Sequence, residues 1–203
     1  MSSASSSRGS DALAAALGGV LLDPAEAAGL DVHGRIDAAV LVPLYLQDGQ
    51  LHVVLTRRRD DLRRHAGEIS FPGGRQDDGE SDLRDTALRE AEEEIGLPVS
   101  AVRLVGALTP TPTIATNYAV YPFVGLIEPG HEWTASEAEV AQVLEFPLAV
   151  LRAILLRGLH HEALHFLRAH LDAVRLTDLG EQQAEAHATH RDAAILILVL
   201  LQL

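Results

Sequence analysis

Apolar positions in the middle of this chain fall into two kinds of pattern, and turn residues separate them. Residues 38–46 and 51–57 are short β-compatible runs, joined by Gln47-Asp48-Gly49-Gln50, whose Asp-Gly pair is a strong hairpin signal. Residues 102–108 and 119–127 read as two further strands, around a loop at 109–116 where Pro110 and Pro112 exclude regular helix. Between these pairs the period changes. Leu83, Ala87, Leu88, Ala91 and Ile95 recur at three- and four-residue spacing, which predicts a helix over residues 82–95 that packs one apolar stripe on a sheet. Ser81 is the expected N-cap, and Gly96, Leu97 and Pro98 supply the stop. Residues 137–144 read as a short helix or turn. Strands alternating with helices give an α/β layered domain.

The ends of the chain read differently. Residues 1–10 form a Ser-rich polar run without the basic start and apolar core of a secretory leader, so they are expected to be a disordered tail. The apolar runs 13–22 and 193–201 are too short to span a bilayer and are expected to be buried helices. The second run is apolar on all sides. It is therefore either fully buried or paired with a second copy in a homodimer. With 203 residues and 47% hydrophobic content, the chain can bury one sizeable core, so residues 11–203 are expected to be a single domain.

Composition narrows the partners. A formal net charge of −13 argues against nucleic acid as a bulk partner, and no membrane partner is expected. There are no cysteines, which leaves neither disulfides nor thiolate chemistry and makes a reducing cytoplasm the simple inference. The ten histidines fall mainly late in the chain. His161 and His165 have the i,i+4 spacing of a helical metal pair, but no Glu completes an HExxH motif, and a solvated helical face is favoured.

The helix over residues 82–95 carries the chemistry. Glu90 and Glu94 border its apolar arc and Glu93 lies further out, so three carboxylates converge at the edge of the core. Like charges at this spacing repel by a few tenths of a kcal/mol per pair, and a cation removes the conflict. Ligands made only of oxygen favour a hard ion, Mg²⁺ or Mn²⁺, over zinc. Arg89 is placed to orient a carboxylate through a bidentate contact. Ahead of the helix, Phe71-Pro72-Gly73-Gly74 permits positive φ and close backbone approach, so that main-chain groups can reach a metal or a phosphate.

Together these residues resemble the Nudix box, the signature of the Nudix hydrolases. That box has a Gly, a Glu six residues later, and then REUxEExGU, with U an aliphatic residue. Gly74 and Glu80 match the first part, and Arg89 through Leu97 match every fixed position of the second. The segment from Glu80 to Arg89 is one residue longer than the general pattern. Upstream, Leu55-Thr56-Arg57-Arg58, Arg63, Gly67 and Phe71-Pro72-Gly73-Gly74 are similar to the signature of the coenzyme A pyrophosphatase branch, as are Pro122-Phe123-Val124-Gly125 and Glu139-Val140. Arg59 departs from that branch, which usually has a small residue there, and residues 151–203 diverge from it.

The resemblance implies an α/β/α sandwich with a mixed sheet and metal-assisted hydrolysis of a pyrophosphate in a small nucleotide substrate. Glu90, Glu93 and Glu94 would hold Mg²⁺ or Mn²⁺ with the Gly73 carbonyl. Glu93, the outermost, would act as the base, and Glu90 and Arg89 complete the catalytic set. Arg57, Arg58, Arg63, Arg64 and Gly74 would hold the phosphates, consistent with a local basic patch in an acidic chain. In this branch the substrate is coenzyme A, cleaved to 4′-phosphopantetheine and adenosine 3′,5′-bisphosphate. A nucleoside triphosphate, ADP-ribose or a dinucleoside polyphosphate is the alternative substrate, and a non-catalytic nucleotide sensor is the alternative class. Glu139 resembles a later Glu of the branch that assists the metal site or the water. Glu68 is as readily an exposed strand residue as a group near the metal, and Tyr118 and Phe123 are candidates to stack on adenine but more often core.

Overall fold

The computed structural model describes residues 3–34, 36–61, 67–112 and 117–151. Arg63, Arg64, His161, His165 and the apolar run 193–201, with the homodimer expectation it carries, lie outside the described residues.

Two helices, α1 (Ser3–Gly18) and α2 (Pro24–Ala28), precede the hairpin of β1 (Ile36–Gln47) and β2 (Gln50–Arg58). Short strands β3 (Ile69–Ser70) and β4 (Gly73–Arg75) then lead into α3 (Leu83–Ile95), and β5 (Arg103–Ala107), β6 (Thr111–Pro112), β7 (Tyr118–Leu126) and β8 (Val140–Pro147) follow. The hairpin turns as its sequence dictates. Asp48 and Gly49 have φ of 50° and 75°, the two positive values that match the strand twist, and Gln47 pairs with Gln50.

The sheet runs β3-β2-β1-β7-β5, with β4 on β1, β6 on β7 and β8 on β2. It is mixed, because β1 is parallel to β7 while the β1–β2, β2–β8 and β5–β7 pairs are antiparallel. Alternation along β1 and β2 separates the two faces. Val42, Leu44, Val53 and Leu55 pack with Ala14 and Leu17 of α1 on one side. Ala39, Leu41 and Val54 pack on the other side with Ala27 of α2 and with Leu83, Ala87, Ala91 and Ile95 of α3. The result is the expected α/β/α sandwich.

The structure corrects several expectations. Helix α1 begins at Ser3 and so takes in residues 3–10 of the Ser-rich run expected to be a disordered tail. Once Ala14 and Leu17 are anchored in the core, adding turns N-terminally costs little compared with nucleating them. Residues 140–144 are strand, since Val140–Pro147 zips onto β2 and only residues 137–139 form a turn. Pairing with β2 outweighs local propensity here. The N-cap of α3 is Asp82, one residue later than expected, with φ −136° and its side chain accepting from Arg84 N. Gly73 and Gly74 do not take positive φ; they are extended residues of β4. No helix among the described residues is long and apolar enough to cross a membrane.

Candidate active site

The close approach of β4 to β1 and α3 explains the two glycines. A Cβ on Gly73 would sit 2.6 Å from Val40 Cα, and a Cβ on Gly74 would sit 2.7 Å from Glu90 Oε2. Glycine is required here for the absence of a side chain, in one case against backbone and in the other against a carboxylate. Gly73 also contributes its amide, which donates to Glu94 Oε2 at 3.2 Å.

Helix α3 presents its three carboxylates at three depths. Glu94 is buried at 5% exposure, Glu90 is half-buried and Glu93 is exposed. Burial dominates the electrostatics of the inner two. It pushes the Glu94 carboxyl up to about 7, with Glu90 and Glu139 adding to the shift and the Gly73 amide and Arg58 opposing it. Burial also raises Glu90, against the pull of Arg89.

Two arginines supply positive charge, and they do so differently. Arg89 is held tightly. Its Nε donates to Glu80 Oε1 at 2.8 Å, Nη2 to Glu90 Oε1 at 3.0 Å, and Nη1 to Glu93 Oε2 at 3.1 Å. Arg58 is held loosely, with Nη1 3.6 Å from Glu94 Oε1 and Nη2 3.6 Å from Glu139 Oε2. Its Nε is buried without a hydrogen-bond partner. Arg57, one residue earlier on the strand, pairs with Asp60 at 3.7 Å instead of with a carboxylate of α3. Successive strand residues face opposite sides of a sheet, so Arg57 and Arg58 diverge.

Glu80 has a clear position despite the longer spacing. Besides Arg89 it accepts from Thr86 Oγ1 at 2.8 Å and Asp77 N at 2.9 Å. The Arg89 hydrogen bond, helped by these donors, holds its carboxyl down at about 2. Glu80 is thus a fixed anion that orients Arg89. Sequence reasoning left its role open and gave no sign of the Thr86 contact.

A second segment closes the site from the far side. The loop after β7 satisfies the last carbonyls of α3, with Thr134 N donating to Ile95 O at 3.1 Å, Ser136 N to Glu94 O at 2.8 Å, and His131 Nε2 lying 3.2 Å from Gly96 O. These bonds bring Glu139 to Arg58. Glu68 is exposed, and its carbonyl accepts from Arg58 N at 2.9 Å. Phe123 is fully buried in the core.

Among the described residues no three acidic or imidazole side chains form a ready-made metal cage, and arginine contacts hold Glu90 and Glu93 on one side and Glu94 on the other. The donor set nonetheless suits a hard cation. Glu90, Glu93, Glu94 and Glu139 offer only oxygen, and one of them is a buried anion whose nearest cation stands 3.6 Å away.

Residues 35–169 match the NUDIX domain family. The uncharacterized Nudix hydrolase NudL of Escherichia coli O7:K1 (strain IAI39 / ExPEC) is 44% identical over 142 residues, covering 70% of this chain and 67% of that protein. The protein of the same name from Shigella boydii serotype 18 (strain CDC 3083-94 / BS512) matches at the same identity and coverage, 44% over 142 residues. A solved C. elegans Ap4A hydrolase binary complex has a TM-score of 0.50 at 19% identity, covering 69% of this chain and 100% of that one, a likeness of fold alone. With its family match spanning well over half the chain and a relative at this identity, the chain belongs to the Nudix hydrolase family.

Proposed function

We propose that this chain hydrolyses the pyrophosphate linkage of coenzyme A or its derivatives, giving 4′-phosphopantetheine and adenosine 3′,5′-bisphosphate, with Mg²⁺ or Mn²⁺ as cofactor. The observation that carries the reading is the buried Glu94 carboxylate beside Glu90 and the Gly73-Gly74 strand, an acidic pocket that stays ionised only at a cost. A divalent ion held by Glu90, Glu93 and Glu94 would neutralise the charge that develops on the phosphate oxygens.

The chain's own residues divide the remaining work. Glu93, with 60% of its side chain exposed, reaches solvent and accepts the proton of the attacking water on its carboxylate. Arg89 keeps Glu90 and Glu93 in place, and Glu80 keeps Arg89 in place. Arg58 neutralises a phosphate of the substrate when it leaves Glu94, and Arg63 and Arg64, on the same segment, bind the phosphates that do not react. The extended match of Leu55-Thr56-Arg57-Arg58, Gly67 and Phe71-Pro72-Gly73-Gly74 supports coenzyme A over other nucleotides.

Product analysis tests the reading. Purified protein is incubated with coenzyme A, ADP-ribose, NADH or a dinucleoside tetraphosphate, each with Mg²⁺ or Mn²⁺, with Glu93→Gln alongside. Cleavage of coenzyme A that falls on the order of a hundredfold in the variant is expected. Preference for another nucleotide removes the substrate assignment, and a folded protein that cleaves none of them removes the hydrolase reading.

A further inference from the structure

Within the upstream signature, Arg59 is the position at which this chain departs from the branch it resembles. Its contacts are specific. The backbone N of Arg59 donates to Glu139 O at 3.0 Å, and its Nη1 donates to Glu137 O at 2.6 Å. Its Nε and Nη2 form a two-pronged fork on Asp61, each bond 2.8 Å. A guanidinium fixed by a fork on one side has little freedom on the other. The fork therefore makes Arg59 a strut against the 137–139 turn.

That turn has a second anchor. Ser136 N donates to Glu94 O at 2.8 Å, and Glu139 N and Val140 N both donate to Ser136 O, at 3.1 and 2.9 Å. The register of β2 against β8 shifts at this place, with Arg57 opposite Gln142 and Arg58 opposite Val140. Such a bulge redirects the side chains beside it. With Ser136 tied to α3 and Glu137 tied to Arg59, the Glu139 carboxylate is left facing Arg58, across from Glu94.

We propose that Arg59 is a positioning residue: braced by Asp61, it pins the Glu137–Glu139 turn so that Glu139 joins the acidic site as its fourth carboxylate. This rests on the metal-site reading above. Arg59 acts through Glu139 and does not itself bind phosphate.

Two measurements on the full chain test it. Hydrogen exchange reads the pin directly, and in Arg59→Ala the amides of residues 136–140 are expected to exchange about tenfold faster while those of α3 keep their protection. Mn²⁺ titration without substrate reads the consequence. Arg59→Ala and Glu139→Gln are each expected to weaken Mn²⁺ about tenfold, the usual lower effect of losing a group that supports a metal site. The double variant is expected to be no weaker than Glu139→Gln alone. Asp61→Asn should reproduce a part of the Arg59→Ala effect in both measurements. Unchanged exchange at 136–140 overturns the proposal, as do additive losses or an unchanged Mn²⁺ affinity in either single variant. A raised KM with unchanged kcat and Mn²⁺ affinity in Arg59→Ala would make Arg59 a phosphate ligand instead. A wild-type chain that binds no Mn²⁺ sinks the metal-site reading, and the exchange arm still decides whether Arg59 pins the turn.

Discussion

Replacing Glu94 by Gln should stabilise the metal-free protein, although it removes a central residue of the site. The Glu94 carboxyl, ordinarily near 4.5, stands at about 7 because it is buried. Each tenfold change in proton affinity is worth ~1.4 kcal/mol, so keeping Glu94 ionised in the fold costs about 3 kcal/mol. The native state holds this proton more tightly than the unfolded chain. Stability from this group is therefore lost as pH rises from about 4.5 to about 7, and the full penalty applies above that window. Gln keeps an oxygen to accept from the Gly73 amide and carries no charge to desolvate.

The assay is thermal unfolding in EDTA from pH 4 to pH 8, read as the difference between variant and wild type so that other titrating groups cancel. At pH 4 the two should melt together. At pH 8 the variant should melt higher by roughly 10 °C, from about 3 kcal/mol at ~2–4 °C per kcal/mol for a chain of this size. Adding Mn²⁺ should reverse the order, because a thousandfold excess over the dissociation constant stabilises a binding protein by ~4.1 kcal/mol, more than the penalty of about 3 kcal/mol, and the variant has lost the ligand. A Glu94→Gln protein no more stable than wild type at pH 8 in EDTA refutes the desolvation argument. A variant that gains as much from Mn²⁺ as wild type does refutes the assignment of Glu94 to the metal.

The two glycines of β4 should fail in different ways. Gly73→Ala pushes a methyl against β1 backbone and should lower stability by about 1–3 kcal/mol in denaturant unfolding, whereas Gly74→Ala displaces the Glu90 carboxylate and should weaken Mn²⁺ binding with a smaller stability loss. Arg89→Lys keeps the charge but cannot contact Glu80, Glu90 and Glu93 together, so turnover should fall at least about tenfold with little change in melting temperature. Gly96→Ala places a side chain at φ 69° and 2.8 Å from Thr134 Cβ. Urea unfolding should show a loss of more than ~1 kcal/mol, since strain and contact add.

Much of the frame was legible because periodicity encodes it locally. The Asp48-Gly49 turn, the paired strands around it and the α3 stripe each depend on residues a few positions apart, and each formed where its pattern lies. The depths of the three carboxylates followed from the same helical geometry, with Glu94 buried and Glu93 exposed. Strand β8 was not legible, because its state is decided by a pairing with β2 some 90 residues earlier in the chain. The reason for Gly73 and Gly74 was half legible. A Gly-Gly pair announces backbone freedom or close approach, and only the packing of β4 against Val40 and Glu90 selects the second.

The arginines mark the limit most sharply. A run of basic residues at 57–64 in an acidic chain suggests one phosphate-binding patch, but strand geometry splits it. Arg57 pairs with Asp60, Arg58 turns to Glu94 and Glu139, and Arg59 braces the turn that carries Glu139. Composition treats these three side chains as equivalent, whereas their partners give them different energies. A guanidinium fixed by short hydrogen bonds, such as Arg89, gives up its carboxylates reluctantly, while Arg58, at 3.6 Å from both partners and with an unpartnered Nε, has less to lose by moving. A divalent ion held among these carboxylates would therefore compete mainly with Arg58. On the proposed reading, the displaced guanidinium would then be free to meet an anionic substrate.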